Sequence, residues 1–365
     1  MTETENRIID FSVYNRYTPD DEIVGIGLAL CEKYGWDTDE ITRQKSIFNV
    51  SRNKHKAWEY TIKAAREHKD VWAIATVLFL KEHSPVIEEN VYAITSEHLL
   101  VEMIELLAEI ENKDAFTHFL VGRACFNGRG AELDLELAAE SFKLAAEGGF
   151  EIAKLFALEI EGELEQIFSV SSKLMEKLPD SHVVRYYLGL CYYHGYGTEV
   201  DHKKVIELLG YTADTESYNN DPIDYYFLCS RYLVGLCYFH GHGVKKDLRR
   251  AQELFRLSAA KYNPEAWYAE AITMLISDKE KNPIYIWYLL EKSALRGYLP
   301  AARKVMLCLR CGYGVDRDEK LYSQYVEYYE HEKVGGKTVS DLGYEADHCD
   351  LVKRDGGAIK DDETD

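Results

Sequence analysis

The sequence predicts an all-α fold, a solenoid of antiparallel helix pairs stacked one on the next. Three observations carry this. A string with a helix-interior glycine and a closing Gly-x-Gly recurs along the chain, an aspartate follows it at a fixed offset, and an apolar pattern at helical spacing follows the aspartate. The copies read Val121-Gly122 to Gly128-Arg-Gly130, Leu188-Gly189 to Gly195-Tyr-Gly197, Val234-Gly235 to Gly241-His-Gly243, and a partial Cys308 to Gly312-Tyr-Gly314. The aspartates are Asp134, Asp201, Asp247 and Asp318.

Each position has a physical job. In the first element positions i, i+1 and i+4 share one helix face. Glycine inside a helix costs about 1 kcal/mol against alanine, so its return at Gly122, Gly189 and Gly235 predicts a close approach by a neighbouring helix. The Gly-x-Gly ends the helix, because glycine tolerates the left-handed conformation past a C-terminus. The aspartate carboxylate can accept from the free N–H groups of the next helix start. The last element spaces residues i, i+4, i+7 and i+8: Ala138, Phe142, Ala145, Ala146; then Val205, Leu209, Thr212, Ala213; then Ala251, Phe255, Ser258, Ala259. That is an amphipathic stripe with small residues at the contact. In the fourth copy it fades to Tyr322 and Val326.

The Gly-x-Gly elements lie about 67, 46 and 71 residues apart on the sequence, against roughly 34–47 for tandem helical repeats. The long steps therefore each hide an eroded unit, at Glu151–Asp180 and Pro264–Gly297. The short step holds one unit plus an insertion, Asp214–Asp224.

The pattern resembles the Sel1-like repeat, a relative of the tetratricopeptide repeat, most clearly over 114–260 and recognisably to about 326. Ala131 and Thr198 stand where the family has Val, and Cys125 where it has Tyr. The resemblance implies a right-handed α/α superhelix. It also implies an adaptor role of the kind such proteins serve in signalling, in protein quality control and in bacterial–host interactions.

The expected organisation is an N-terminal segment (1–19), degenerate repeats or a cap (20–112), the array (113–330) and an unstructured acidic tail (331–365). Within 20–112, Ile23–Tyr34 reads as a helix closed by Gly35, Ala57-xxx-Thr61-xx-Ala64-Ala65 echoes the second element, and Val71–Lys81 with Ser96–Asn112 supplies another pair.

A net charge of −20 argues against nucleic acid as partner and favours a basic or mixed-charge protein or peptide. No apolar run approaches the ~20 residues of a membrane helix, and the start has no ordinary secretion signal. With cysteines recurring as Cys191, Cys237 and Cys308 but no second recurrent cysteine per unit, the thiols read as small buried hydrophobes in a reducing, cytoplasmic setting. Export by a route without a classical leader stays open. No catalytic residue, metal site or cofactor fingerprint stands out: Cys308-xx-Cys311 lacks a second pair, His240-x-His242 lacks a carboxylate partner, and Ser258-xx-Lys261 lacks the companion motifs of penicillin-recognising enzymes.

The expected function is a non-enzymatic scaffold gripping its partner on the concave face, through Tyr186, Tyr187, Tyr193, His194, Tyr232, Phe239 and His240, since aromatic side chains give large contact area at low entropy cost. The alternatives are a hydrolase with a groove site, as in penicillin-binding relatives, and a dedicated regulator of a microbial effector, toxin or defence system.

Overall fold

The computed structural model describes residues 19–36, 50–83, 97–128, 130–214, 225–259, 263–277, 282–333, 351–352 and 358–359. The insertion after Asp214, and Lys261 of the Ser-xx-Lys string, lie outside them.

Seventeen helices run through the described residues: α1 Pro19–Tyr34, α2 Val50–His68, α3 Val71–His83, α4 Glu97–Ala108, α5 Ala115–Asn127, α6 Leu135–Glu147, α7 Ala153–Glu161, α8 Leu164–Lys177, α9 His182–His194, α10 His202–Leu209, α11 Tyr211–Asp214, α12 Tyr225–His240, α13 Leu248–Ser258, α14 Pro264–Ile276, α15 Pro283–Ala294, α16 Leu299–Cys311 and α17 Glu319–Glu332. In one stretch α1 packs on α2 and the chain continues pairwise through α7 and α8; in a second, pairwise packing runs from α12 through α17, as stacked pairs require. The acidic end, read as unstructured, contains a two-residue antiparallel pair, β1 (Leu351–Val352) with β2 (Ala358–Ile359). His331 and Glu332 finish α17 and Lys333 caps it, and the rest of that end lies outside the described residues.

Both hidden units are present as helix pairs, α7–α8 and α14–α15. Ser293 in the second of these donates to the Pro264 carbonyl at 2.7 Å, tying the end of α15 to the start of α14. Near the N-terminus, Ala57, Thr61, Ala64 and Ala65 are all buried, as their echo of the repeat predicts.

The contacts fall into two units. Among the described residues the first runs to Cys191 and takes in Tyr196–Glu199; the second holds Tyr192–Gly195, 200–214 and those from Tyr225 onward. In the first unit Asp70 fastens the terminal helices: its carboxylate accepts from the Lys33 ammonium at 2.6 Å, the Tyr34 hydroxyl at 2.5 Å and the Ala73 amide at 2.9 Å. Burial works to raise its pKa, yet the hydrogen bonds from Lys33 and Tyr34 hold it below the usual carboxylate range. In the second unit one contiguous core runs from Tyr193 to Tyr325, with Phe255, Trp267, Ile272, Leu290 and Val305 among its members.

Candidate functional site

The recurring motif is a stacking device. A Cβ on Gly122 would lie 2.9 Å from the Phe142 ring, and one on Gly235 2.7 Å from the Phe255 ring. The helix-interior glycine and the aromatic of the second element are thus two halves of one contact. Each first helix then turns back on itself. In the third copy the Cys237 carbonyl accepts from both Gly241 and His242 at 2.9 Å, with Gly241 left-handed at φ 82°. Nine residues after its acceptor, the aspartate of the first three copies closes the loop: Asp134 N–H to Cys125 at 3.1 Å, Asp201 to Tyr192 and Asp247 to Tyr238 at 2.9 Å. The carboxylates cap the second helices, accepting from Leu137 (2.9 Å), Lys203 (3.1 Å), Arg250 (3.0 Å) and Leu321 (2.9 Å).

The second loop glycine joins successive units. Gly243, at φ 70°, abuts the His202 carbonyl at the start of α10, where a Cβ would come within 2.5 Å. Gly130 sits likewise on the Leu100 carbonyl in α4, with a Cβ distance of 2.7 Å, and Gly197 and Gly314 sit on the carbonyls of Glu165 in α8 and Pro283 in α15. Three of these four docking helices belong to units whose sequence motif is eroded, so the loop geometry identifies them where the motif does not.

The residues chosen for partner binding divide. Tyr187 is buried, and its hydroxyl donates to the Glu159 carboxylate at 2.5 Å; burial pushes the Glu159 carboxyl up, with the Tyr187 bond opposing. Tyr232 and Phe239 are buried against Phe255, with ring centroids 5.6 and 6.3 Å away. Tyr193 is buried edge-on to His202 at 5.1 Å. Sequence reasoning assigned these four to a partner; in this structure they lie buried between helices, Tyr193 at 9% exposure and Tyr187 at none. Tyr186 and His240 are half-buried and His194 is exposed, so these three keep accessible surface.

Docking the third loop on α10 builds a stack that sequence reasoning missed. The His202 and His242 rings lie 4.2 Å apart and nearly parallel, and His240 continues the stack at 4.9 Å from His242. Burial, then His202 and His240, hold the His242 pKa below its ordinary value. His202 is about forty residues from the other two, and only the fold brings them together.

The chemically suggestive residues have structural roles. Ser258 is buried and donates to the Phe255 carbonyl at 3.0 Å. The seven described cysteines are free thiols and buried; burial pushes Cys191 and Cys237 up to about 12. Among the described residues no group of His, Cys, Asp or Glu is arranged to hold a metal ion, and no helix is long and apolar enough to cross a membrane.

A family model described as Sel1 repeat matches residues 44–68, 115–150, 184–209 and 230–263. The chain carries Sel1 repeats. Each of the last three matches spans most of one helix pair, α5–α6, α9–α10 and α12–α13, and the first covers α2. No curated protein matches. Among solved structures, a Sel1 repeat protein from Oxalobacter formigenes is 12% identical at a TM-score of 0.41, covering 92% of this chain and 88% of its own. The protective antigen c5321 of uropathogenic Escherichia coli, which displays an SLR fold, is 17% identical at a TM-score of 0.30, covering 85% of this chain and 68% of its own. Sel1 repeats generally serve as scaffolds for protein–protein interaction.

Proposed function

We propose that this Sel1 repeat chain is a non-enzymatic scaffold that binds a protein or peptide, of basic or mixed charge, on the face formed by the first helices of its repeats. Superhelical arrays present that face as their concavity. The supporting observation is the use of the motif residues: glycine–aromatic pairs, docked loops and aspartate caps all serve stacking, and Ser258 and the recurrent cysteines serve it too. Surface side chains are then what is left to select a partner. The charge of −20 would steer a basic partner toward it.

The test is capture from a lysate of the native cell, read by mass spectrometry at several salt concentrations. His194→Ala/His240→Ala and, separately, Tyr186→Ala are the controls, since these residues keep accessible surface. One dominant partner, lost with a control and weakened by salt, is the expected result. No partner at any salt, together with turnover in a hydrolase substrate screen, would replace the scaffold by an enzyme.

A further inference from the structure

We infer that the start of α6 and the turn before it form a docking surface for a lysine- or arginine-rich amphipathic helix of a partner protein. The inference rests on the scaffold reading and gives it a second face. Leu133, Leu135, Leu137 and Leu144 are 66%, 48%, 43% and 41% exposed. Leu137 and Leu144 are seven residues apart, hence on one helix face and about 10 Å apart along it. Leu133 precedes the capping Asp134, where an apolar residue ordinarily staples to the fourth helical residue. That residue is Ala138, small and buried, and Leu133 stays in solvent.

The repeat supplies its own control. One before and three after the capping aspartate, the first copy has Leu133 and Leu137; the others have Val200 and Lys204, Lys246 and Arg250, Arg317 and Leu321. All four copies keep the capped helix. The fold therefore does not need leucine at either position and accepts lysine or arginine there.

Charge selects the occupant. Glu136, Glu140 and Glu147 follow one another along the solvent side of the Leu137–Leu144 strip, Glu132 precedes Leu133, and all four are exposed, while Lys143, the one described cation of this stretch, is paired with Glu161. An apolar face rimmed by carboxylates is complementary to a helix with leucine-type residues at i, i+3/i+4 and i+7 and cations along its flanks. It disfavours a second copy of a chain carrying −20, and equally an anionic lipid surface.

The probe is a synthetic amphipathic peptide of about four helical turns, leucine on one face and lysine on the other, titrated against the full chain by fluorescence anisotropy. Two control peptides are its scrambled form and its glutamate-for-lysine form. The expected result is binding of the basic amphipathic peptide alone, weakened at least tenfold by Leu133→Lys/Leu137→Arg with an unchanged melting temperature. Glu136→Gln/Glu140→Gln should flatten the salt dependence. No binding, equal binding of the scrambled peptide, or equal binding by the leucine variant overturns the proposal. So does concentration-dependent self-association in sedimentation that the leucine variant abolishes, which would make a second copy the occupant. Lysate partners retained by the leucine variant would remove this surface and keep the scaffold; absence of any partner for the unaltered chain is the separate failure of the scaffold reading.

Discussion

Glu270 is a carboxylic acid buried in α14, where the Tyr285 hydroxyl donates to it at 3.2 Å. Burial pushes its pKa up to about 7, against the lowering influence of Tyr285 and Arg256. Its native pKa thus lies above the unfolded value, so the folded state binds more protons between the two. The stability linked to it is complete below the unfolded pKa near 4.3 and drains away as pH rises through about 7. Glu270→Gln keeps an acceptor for Tyr285 and removes the titration. Relative to the unaltered chain, the variant should gain about 1 kcal/mol at pH 5 and about 3–4 kcal/mol by pH 8, read from urea midpoints at each pH. A gain independent of pH would mean the carboxyl does not titrate in this range. Gly235 is a second single-residue test. A leucine there meets the Phe255 ring and should cost ~1–3 kcal/mol, even though almost any residue improves on glycine's helix propensity. A near-neutral melt would mean α12 and α13 can move apart.

At the scale of the element, the docked loop is the unit of assembly. Gly243 and Gly162 have nearly the same left-handed backbone, φ 70° and 72°, but a Cβ on Gly162 meets nothing within 4 Å whereas one on Gly243 meets the His202 carbonyl. Alanine at either position pays the left-handed penalty of ~1–2 kcal/mol. Only at Gly243 must α10 also shift. Gly243→Ala should therefore destabilise by about 1–3 kcal/mol more than Gly162→Ala, and equal losses would show that the loop does not press on α10. The helix pairs, the caps and the close approach at the helix-interior glycines were legible in the sequence because each recurs and each has a local physical cause; that the approaching group is the Phe142 or Phe255 ring was not. Exposure was not. Tyr186 and Tyr187 are neighbours on a helix, and a residue on α9 can be covered by the helix before it, the helix after it or neither; spacing alone does not choose. The His202–His240–His242 stack was illegible because a loop from another repeat completes it. The bare leucines of α6 were legible in principle, by aligning Leu133 and Leu137 with Lys246 and Arg250, since a position filled by both leucine and lysine is a surface position.

The whole molecule raises a question of cooperativity. In a linear array stability is a sum of unit terms and nearest-neighbour interface terms, so a defect is felt most by the units it touches. Here the contacts divide near Cys191, and the core containing Phe255 is confined to the second unit. The same glycine–phenylalanine contact exists once in each unit, Gly122 with Phe142 in the first and Gly235 with Phe255 in the second. The two variants Gly122→Leu and Gly235→Leu therefore carry one chemical lesion in two places. Hydrogen exchange at a fixed low denaturant should rise over α5–α7 in the first variant and over α12–α14 in the second, each leaving the other unit's slowest amides close to their original rates. Thermal unfolding of either should broaden or split, because the lesioned unit opens first. If instead both variants accelerate exchange uniformly along the chain and shift a single sharp transition, the two units unfold as one and the division in contacts has no energetic counterpart. The first outcome also has a functional side. A partner seated on α6 would then protect the α5–α7 amides alone, which is how occupation of the leucine surface would be told from occupation of the face near His194 and His240.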